Sequence, residues 1–212
     1  MSKRVLITGT HSVLAVQLGT KLRNRGDEVR IAIPDSHQKG IDQTEETIAW
    51  NPTSSLSTRA AIATCKSSLG SCDLAYVLCG AGSVPTSFHE PSAVSLQQYV
   101  DTNFTGPTLM LKELLQSFLT QEHGSIVVVH HQPGGLYESP LYVAIQTALE
   151  QLGEELFRAY SESPVTLQGF RSSESELSTL ADSLAEETPA GRSATKWQRL
   201  GARASRFPFR SA

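Results

Sequence analysis

The chain has 212 residues, 39% of them hydrophobic and 18% charged, with a formal charge of −3 at pH 7. That length and balance suit one globular domain with a core of its own and exclude wholesale disorder. Apolar runs such as residues 126–129 fall far short of the roughly 20 residues of a membrane-spanning helix. The N-terminal residues pass at once into a strand-like run, so a cytoplasmic protein without a membrane span is expected. Three cysteines, Cys65, Cys72 and Cys79, include no Cys-x-x-Cys pair. They read as free buried thiols, and no His, Cys or carboxylate spacing suggests a metal site.

The near-neutral total hides two unlike parts. Six of the 18 basic residues and none of the 21 acidic ones follow Glu187, so the body carries −9 and the tail +6. A basic tail of this kind suits an acidic surface, either on its own domain or on a partner.

Along the chain, short β-branched runs alternate with stretches of helical period. The pattern predicts a strand at 4–8, a helix at 14–25 closing at Gly26, and a strand at 28–33 ended by Pro34. A strand at 73–78, a helix at 96–119, a strand at 125–129 and a helix at 141–160 follow. Clusters of Ser, Thr, Asn, Pro and Gly at 35–43 and 51–58 read as loops. Further on, 174–184 reads as a short helix. Residues 195–206 read as another, with Trp197, Leu200 and Ala204 on one side and Arg199, Arg203 and Arg206 on the other. Strands separated by helices mean β-α-β crossovers. The expected class is α/β, a Rossmann-like doubly wound parallel sheet with helices on both faces. It spans residues 1–171 and is followed by a polar linker and basic C-terminal segment over 172–212.

In such a sheet, ligands bind beyond the carboxyl ends of the strands where the strand order reverses. The first strand-to-helix turn is therefore the first candidate, and here it reads Thr8, Gly9, Thr10, His11, Ser12, Val13, Leu14, Ala15. Gly9 suits the tight turn, and the helix that follows offers its N-terminal N–H groups to an anion.

This turn, with residues 22–29, 48–52, 73–88, 99–106 and 139–146, resembles in order and spacing the short-chain dehydrogenase/reductase superfamily. Within it, the extended, NAD-dependent epimerase/dehydratase-like branch is the more similar one. The likeness covers residues 3–171. It implies NAD or NADP as cofactor, contacted by Gly9, His11, Ser12, Val13, Leu14, Asp35, Asn51, Cys79 and Gly80. The departures carry information too. Of the three glycines expected in the first turn only Gly9 is present, with Ser12 and Ala15 at the other positions. The acidic residue expected at Ile33 or Pro34 is absent, leaving Asp35 as the nearest substitute.

The same resemblance implies Tyr142 as a general acid or base. A phenol near pKa ~10 needs a close positive charge to serve as a base at neutral pH. Gln146 stands where the resemblance implies a lysine, one helical turn after Tyr142, and brings no charge. His131 stands at the position of the Ser or Thr that orients a carbonyl. Two readings stay open: His131 and Tyr142 form an acid–base pair, or the histidines only terminate a strand. With so many positions altered, impaired chemistry is the better fit. The leading expectation is a divergent NAD(P)-binding oxidoreductase or epimerase-like protein, with a small molecule or dinucleotide as ligand and a second copy or another protein as partner. The alternatives are a non-catalytic scaffold using the basic tail, and a rebuilt His/Tyr lyase or isomerase. Only 41 residues follow Arg171, too few for a full substrate domain.

Overall fold

The computed structural model describes residues 2–34, 46–80, 87–132, 139–187 and 193–200. Asp35, the segment 82–85 and the arginines beyond Leu200 lie outside them. The elements in order are β1 (Arg4–Gly9), α1 (Ser12–Asn24), β2 (Glu28–Pro34), β3 (Thr47–Trp50), α2 (Ser55–Leu69) and β4 (Leu74–Gly80). Then come α3 (Ala93–Val100), a π-helical turn (Asp101–Thr105), α4 (Gly106–Gln121), β5 (Gly124–His131), α5 (Pro140–Ala159), β6 (Val165–Ser172), α6 (Leu177–Glu186) and β7 (Gln198–Leu200).

All strand pairs are parallel, and the sheet order is β3-β2-β1-β4-β5-β6-β7. The chain builds outward from β1 in one direction, then returns to lay β4 on its other side. The reversal between β1 and β4 creates the crevice where a doubly wound sheet takes its ligands. Central strands are covered on both faces, so their sequences are apolar without alternation; every residue of β4 is buried.

Two cores flank the sheet. Leu6, Val77, Ile126 and Val128 face α2, α4 and α5, where Phe118, Leu149 and Phe157 meet them. Ile7, Tyr76, Val127 and Val129 face α1 and α6, against Leu14, Leu18, Leu22, Leu180 and Leu184. The four-residue spacing on α1 is the expected apolar stripe of a helix laid on a sheet. Successive β5 residues point to opposite faces, and this alternation decides the surroundings of His130 and His131.

Several expectations change. The Ser/Thr cluster at 51–58 is not all loop, because Ser54 caps α2 by accepting the Ser57 N–H at 3.2 Å. The single helix expected at 96–119 is divided by the π turn, with Pro107 in the first turn of α4. In place of the helix expected at 195–206, the described part forms β7 on the edge of the sheet. Beyond Arg171 the described residues continue the same body, since α6 buries Leu180, Ala181 and Leu184 and β7 pairs with β6. Among the described residues no helix is long and apolar enough to cross a membrane.

Candidate functional site

The site is assembled where β1, β4, β5 and β6 end. Gly9 closes β1 with φ +125, and a Cβ there would lie 2.1 Å from the Leu78 carbonyl oxygen. Only glycine permits that approach of the first turn to β4. Thr10 then ties the turn down: its N–H donates to the Leu78 carbonyl at 2.9 Å and its hydroxyl to the Gly80 carbonyl at 3.0 Å.

His11 is the N-cap residue of α1, yet its side chain makes no capping bond. The ring reaches across the ends of the strands instead. It lies against Gly80, where a Cβ would meet it at 2.6 Å, and its Nε2 is 2.9 Å from Nδ1 of His131. The other nitrogen of His131, Nε2, is 2.7 Å from the Glu174 carbonyl oxygen. A carbonyl only accepts, so His131 carries its proton on Nε2 and receives at Nδ1 a hydrogen bond donated by His11 Nε2. Burial pushes the proton affinity of His131 down, against a smaller opposing effect of the Glu174 carbonyl. The ring is therefore neutral at neutral pH, in keeping with its accepting role.

The first turn of α1 is equipped for an anion. It contains no acidic residue, and its leading N–H groups have no partner within the helix. The Ser12 hydroxyl is buried there and has no hydrogen-bond partner among the described residues. Leu14 is fully buried in the core, while Val13 is 56% exposed at the mouth.

On the opposite face of β5 a second cluster forms. His130 is buried and directed at α5: its Nδ1 is 2.9 Å from Glu150 Oε1, and its Nε2 bonds to the Gln146 side-chain oxygen. Glu150 also takes Arg171 at 3.2 Å and Gln132 at 3.2 Å. His130, helped by Arg171, holds the Glu150 carboxyl below the usual carboxylate range. The Arg171 guanidinium lies 5.6 Å from the centre of the Trp197 ring, which closes the cluster from the β7 side. This cluster was not visible in the sequence.

The sequence-derived candidates are thus placed as follows. Gly9, His11, Ser12, Val13, Gly80 and His131 gather around the crevice, whereas the Leu14 side chain packs in the core under α1. Tyr142 and Gln146 are both buried on α5, and Gln146 is engaged by His130, so its amide oxygen is committed inside the protein. The Cys79 side chain points into the core, where burial pushes its thiol up to about 12; only its main chain belongs to the crevice edge. Asn51 stands at the end of β3, its Oδ1 accepting from the Thr53 N–H at 3.0 Å and the Thr53 hydroxyl at 2.8 Å. Among the described residues no group of three His, Cys or carboxylate side chains could hold a metal ion. A groove of about 420 Å³ between α4 and α5, lined by Leu111, Leu115, Leu152, Leu156 and Tyr160, lies on the outer face of these helices and not at this crevice.

Comparison with solved structures agrees with the architecture. The 3-ketoacyl-(acyl-carrier-protein) reductase of Brucella melitensis, complexed with NADH, superposes with TM-score 0.74 at 14% identity, covering 94% of this chain and 97% of its own. An oxidoreductase of the short chain dehydrogenase/reductase family from Brucella ovis, in complex with a partially ordered NAD, gives 0.72 at 15% identity, covering 95% and 100%. A metagenomic short-chain oxidoreductase in complex with NADP gives 0.70 at 14% identity, covering 95% and 99%. At such identities what is shared is the fold. No curated protein matches the chain. The family model for short chain dehydrogenases matches residues 3–187, the whole span from β1 through α6, and the chain belongs to that family.

Proposed function

We propose that this protein binds NAD or NADP with the pyrophosphate on the N-terminus of α1, and that its hydride-transfer chemistry is impaired. The observation that carries the binding half is the Ser12 hydroxyl, buried without a partner among the described residues, beside helix N–H groups that have no partner within the helix and in a turn free of carboxylates. A buried hydroxyl left unbonded costs roughly 1–3 kcal/mol, and a phosphate oxygen at this position would accept from it while meeting the positive end of the helix. The cofactor, when bound, supplies the hydride acceptor or donor; positioning and proton handling fall to the chain.

For the proton, the chain offers Tyr142 on α5, with Gln146 one turn on at the position where the family resemblance implies a lysine. Gln146 is neutral and already bonded to His130. His131, the group at the carbonyl-orienting position, is neutral and bonded to His11 and the Glu174 main chain. Assignment to the epimerase-like branch rests on residues 48–52, where an adenine contact by Asn51 would come from its Nδ2, because Oδ1 serves Thr53.

Isothermal titration with NADH and NADPH tests the first half. Saturable binding of at least one is expected, and no heat at millimolar cofactor overturns it. For the second half, nicotinamide absorbance is followed over a panel of small ketones and aldehydes. Turnover that is fast and lost in Tyr142→Phe would overturn the claim of impairment.

A further inference from the structure

We infer that the hydrogen bond between His11 and His131 is a bar across the β1/β4 crevice, which a dinucleotide must open in order to bind, so that His11 sets cofactor affinity. This rests on the proposed dinucleotide site at α1. The strand order reverses between β1 and β4, and the ligand path of a doubly wound sheet lies outside the ends of these two strands. His11 begins at the end of β1, lies on the last residue of β4, and bonds to the last residue of β5.

The ring touches Gly80 closely enough that even a methyl group on that residue would collide with it. Nothing as thick as a ribose or a nicotinamide ring fits between them. The two imidazoles are tilted by 47° with centroids 4.9 Å apart, so the span is filled by ring atoms and not by one thin bond. The far end is anchored. With His131 Nε2–H held by the Glu174 carbonyl, Nδ1 has a fixed direction, and His11 meets it in a single geometry. At the near end, His11 is only partly buried and makes no side-chain capping bond to its own helix. Opening therefore means turning His11 outward about its own side-chain bonds, with the backbone of the turn left in place by Gly9 and Thr10.

The test measures NADH affinity by titration calorimetry for the wild type, His11→Ala and His131→Ala, together with the ring-nitrogen NMR signals of the wild type. Removing the bar spares the ligand one neutral hydrogen bond, so His11→Ala is expected to bind roughly three- to tenfold more tightly. His131→Ala should move affinity in the same direction, which guards against a folding defect in either variant. In the wild type the signal of an accepting Nδ1 on His131 should disappear as NADH saturates. Equal or weaker binding by both variants, or a His11–His131 bond that persists at saturation, overturns the bar alone. Absence of binding in the wild type and both variants overturns the dinucleotide site and the bar with it.

Discussion

The indole Nε1–H of Trp197 donates to the main-chain oxygen of Glu150 at 3.0 Å, joining the last strand of the sheet to the middle of α5. The ring is received by two glycines. A Cβ on Gly153 would lie 2.5 Å from it, and one on Gly169 would lie 2.7 Å from it. Phe157 meets it edge-on at 5.4 Å. Trp197→Ala should therefore lower stability by about 3 kcal/mol, measured by urea unfolding with circular dichroism. Gly169→Ala overfills the same space from the opposite side and should cost about 1–3 kcal/mol.

The side-chain amide of Gln146 is hydrogen-bonded to Nε2 of the buried His130. Gln146→Leu takes that partner from the ring nitrogen and should cost about 1–3 kcal/mol. Replacing both residues, as His130→Phe with Gln146→Leu, removes the unpaired group and should recover part of the loss. A double-mutant cycle in urea checks this; strictly additive losses would show that the two side chains do not act together.

Ser12→Ala separates binding from stability. The hydroxyl has no partner in the described residues, so its removal should leave the melting temperature unchanged or slightly higher. NADH affinity should fall several-fold, since the phosphate loses one donor. Calorimetry and thermal melts on the same samples give both numbers.

Asp73 and Arg4 form a two-pronged pair, with Nε to Oδ2 at 2.9 Å and the terminal nitrogen to Oδ1 at 2.6 Å. The guanidinium holds the Asp73 carboxyl below the ordinary aspartate value. A carboxyl whose folded pKa is depressed adds stability that is fully present above the unfolded value, near 3.9, and is lost as pH falls through the folded one. Asp73→Asn should then melt below the wild type at pH 7, and the gap should shrink as pH drops from 5 towards 2. A gap that stays constant over that range would remove the carboxylate's charge from the explanation.

The sheet was legible because β1, β2, β4 and β5 are apolar runs closed by Gly, Pro or His and separated by stretches of helical length. The helix α2 escaped because its serines and threonines read as loop, although its buried positions Thr58, Ala61, Ile62, Cys65 and Leu69 carry helical spacing. The strand β7 has three residues, too few for any period. At the site, the first turn was legible from Gly9 onward. The partnership of His11 with His131 was not, since 120 residues separate them and no local pattern encodes it. Period two along β5 does separate His130 from His131, and applying it gives one histidine to α5 and the other to the crevice.

The Glu174 contact that orients His131 is made by a main-chain oxygen, and the Glu174 N–H is in turn received by Ser172 Oγ at 3.1 Å. The orientation of the imidazole is thus written in the path of the chain leaving β6, a path that the Glu174 carboxylate braces from the other side by accepting the Glu176 N–H at 3.2 Å. Relatives that share this arrangement would reveal it by the shape of that turn and by a small hydroxyl at its start, and a comparison of letters alone would pass over it.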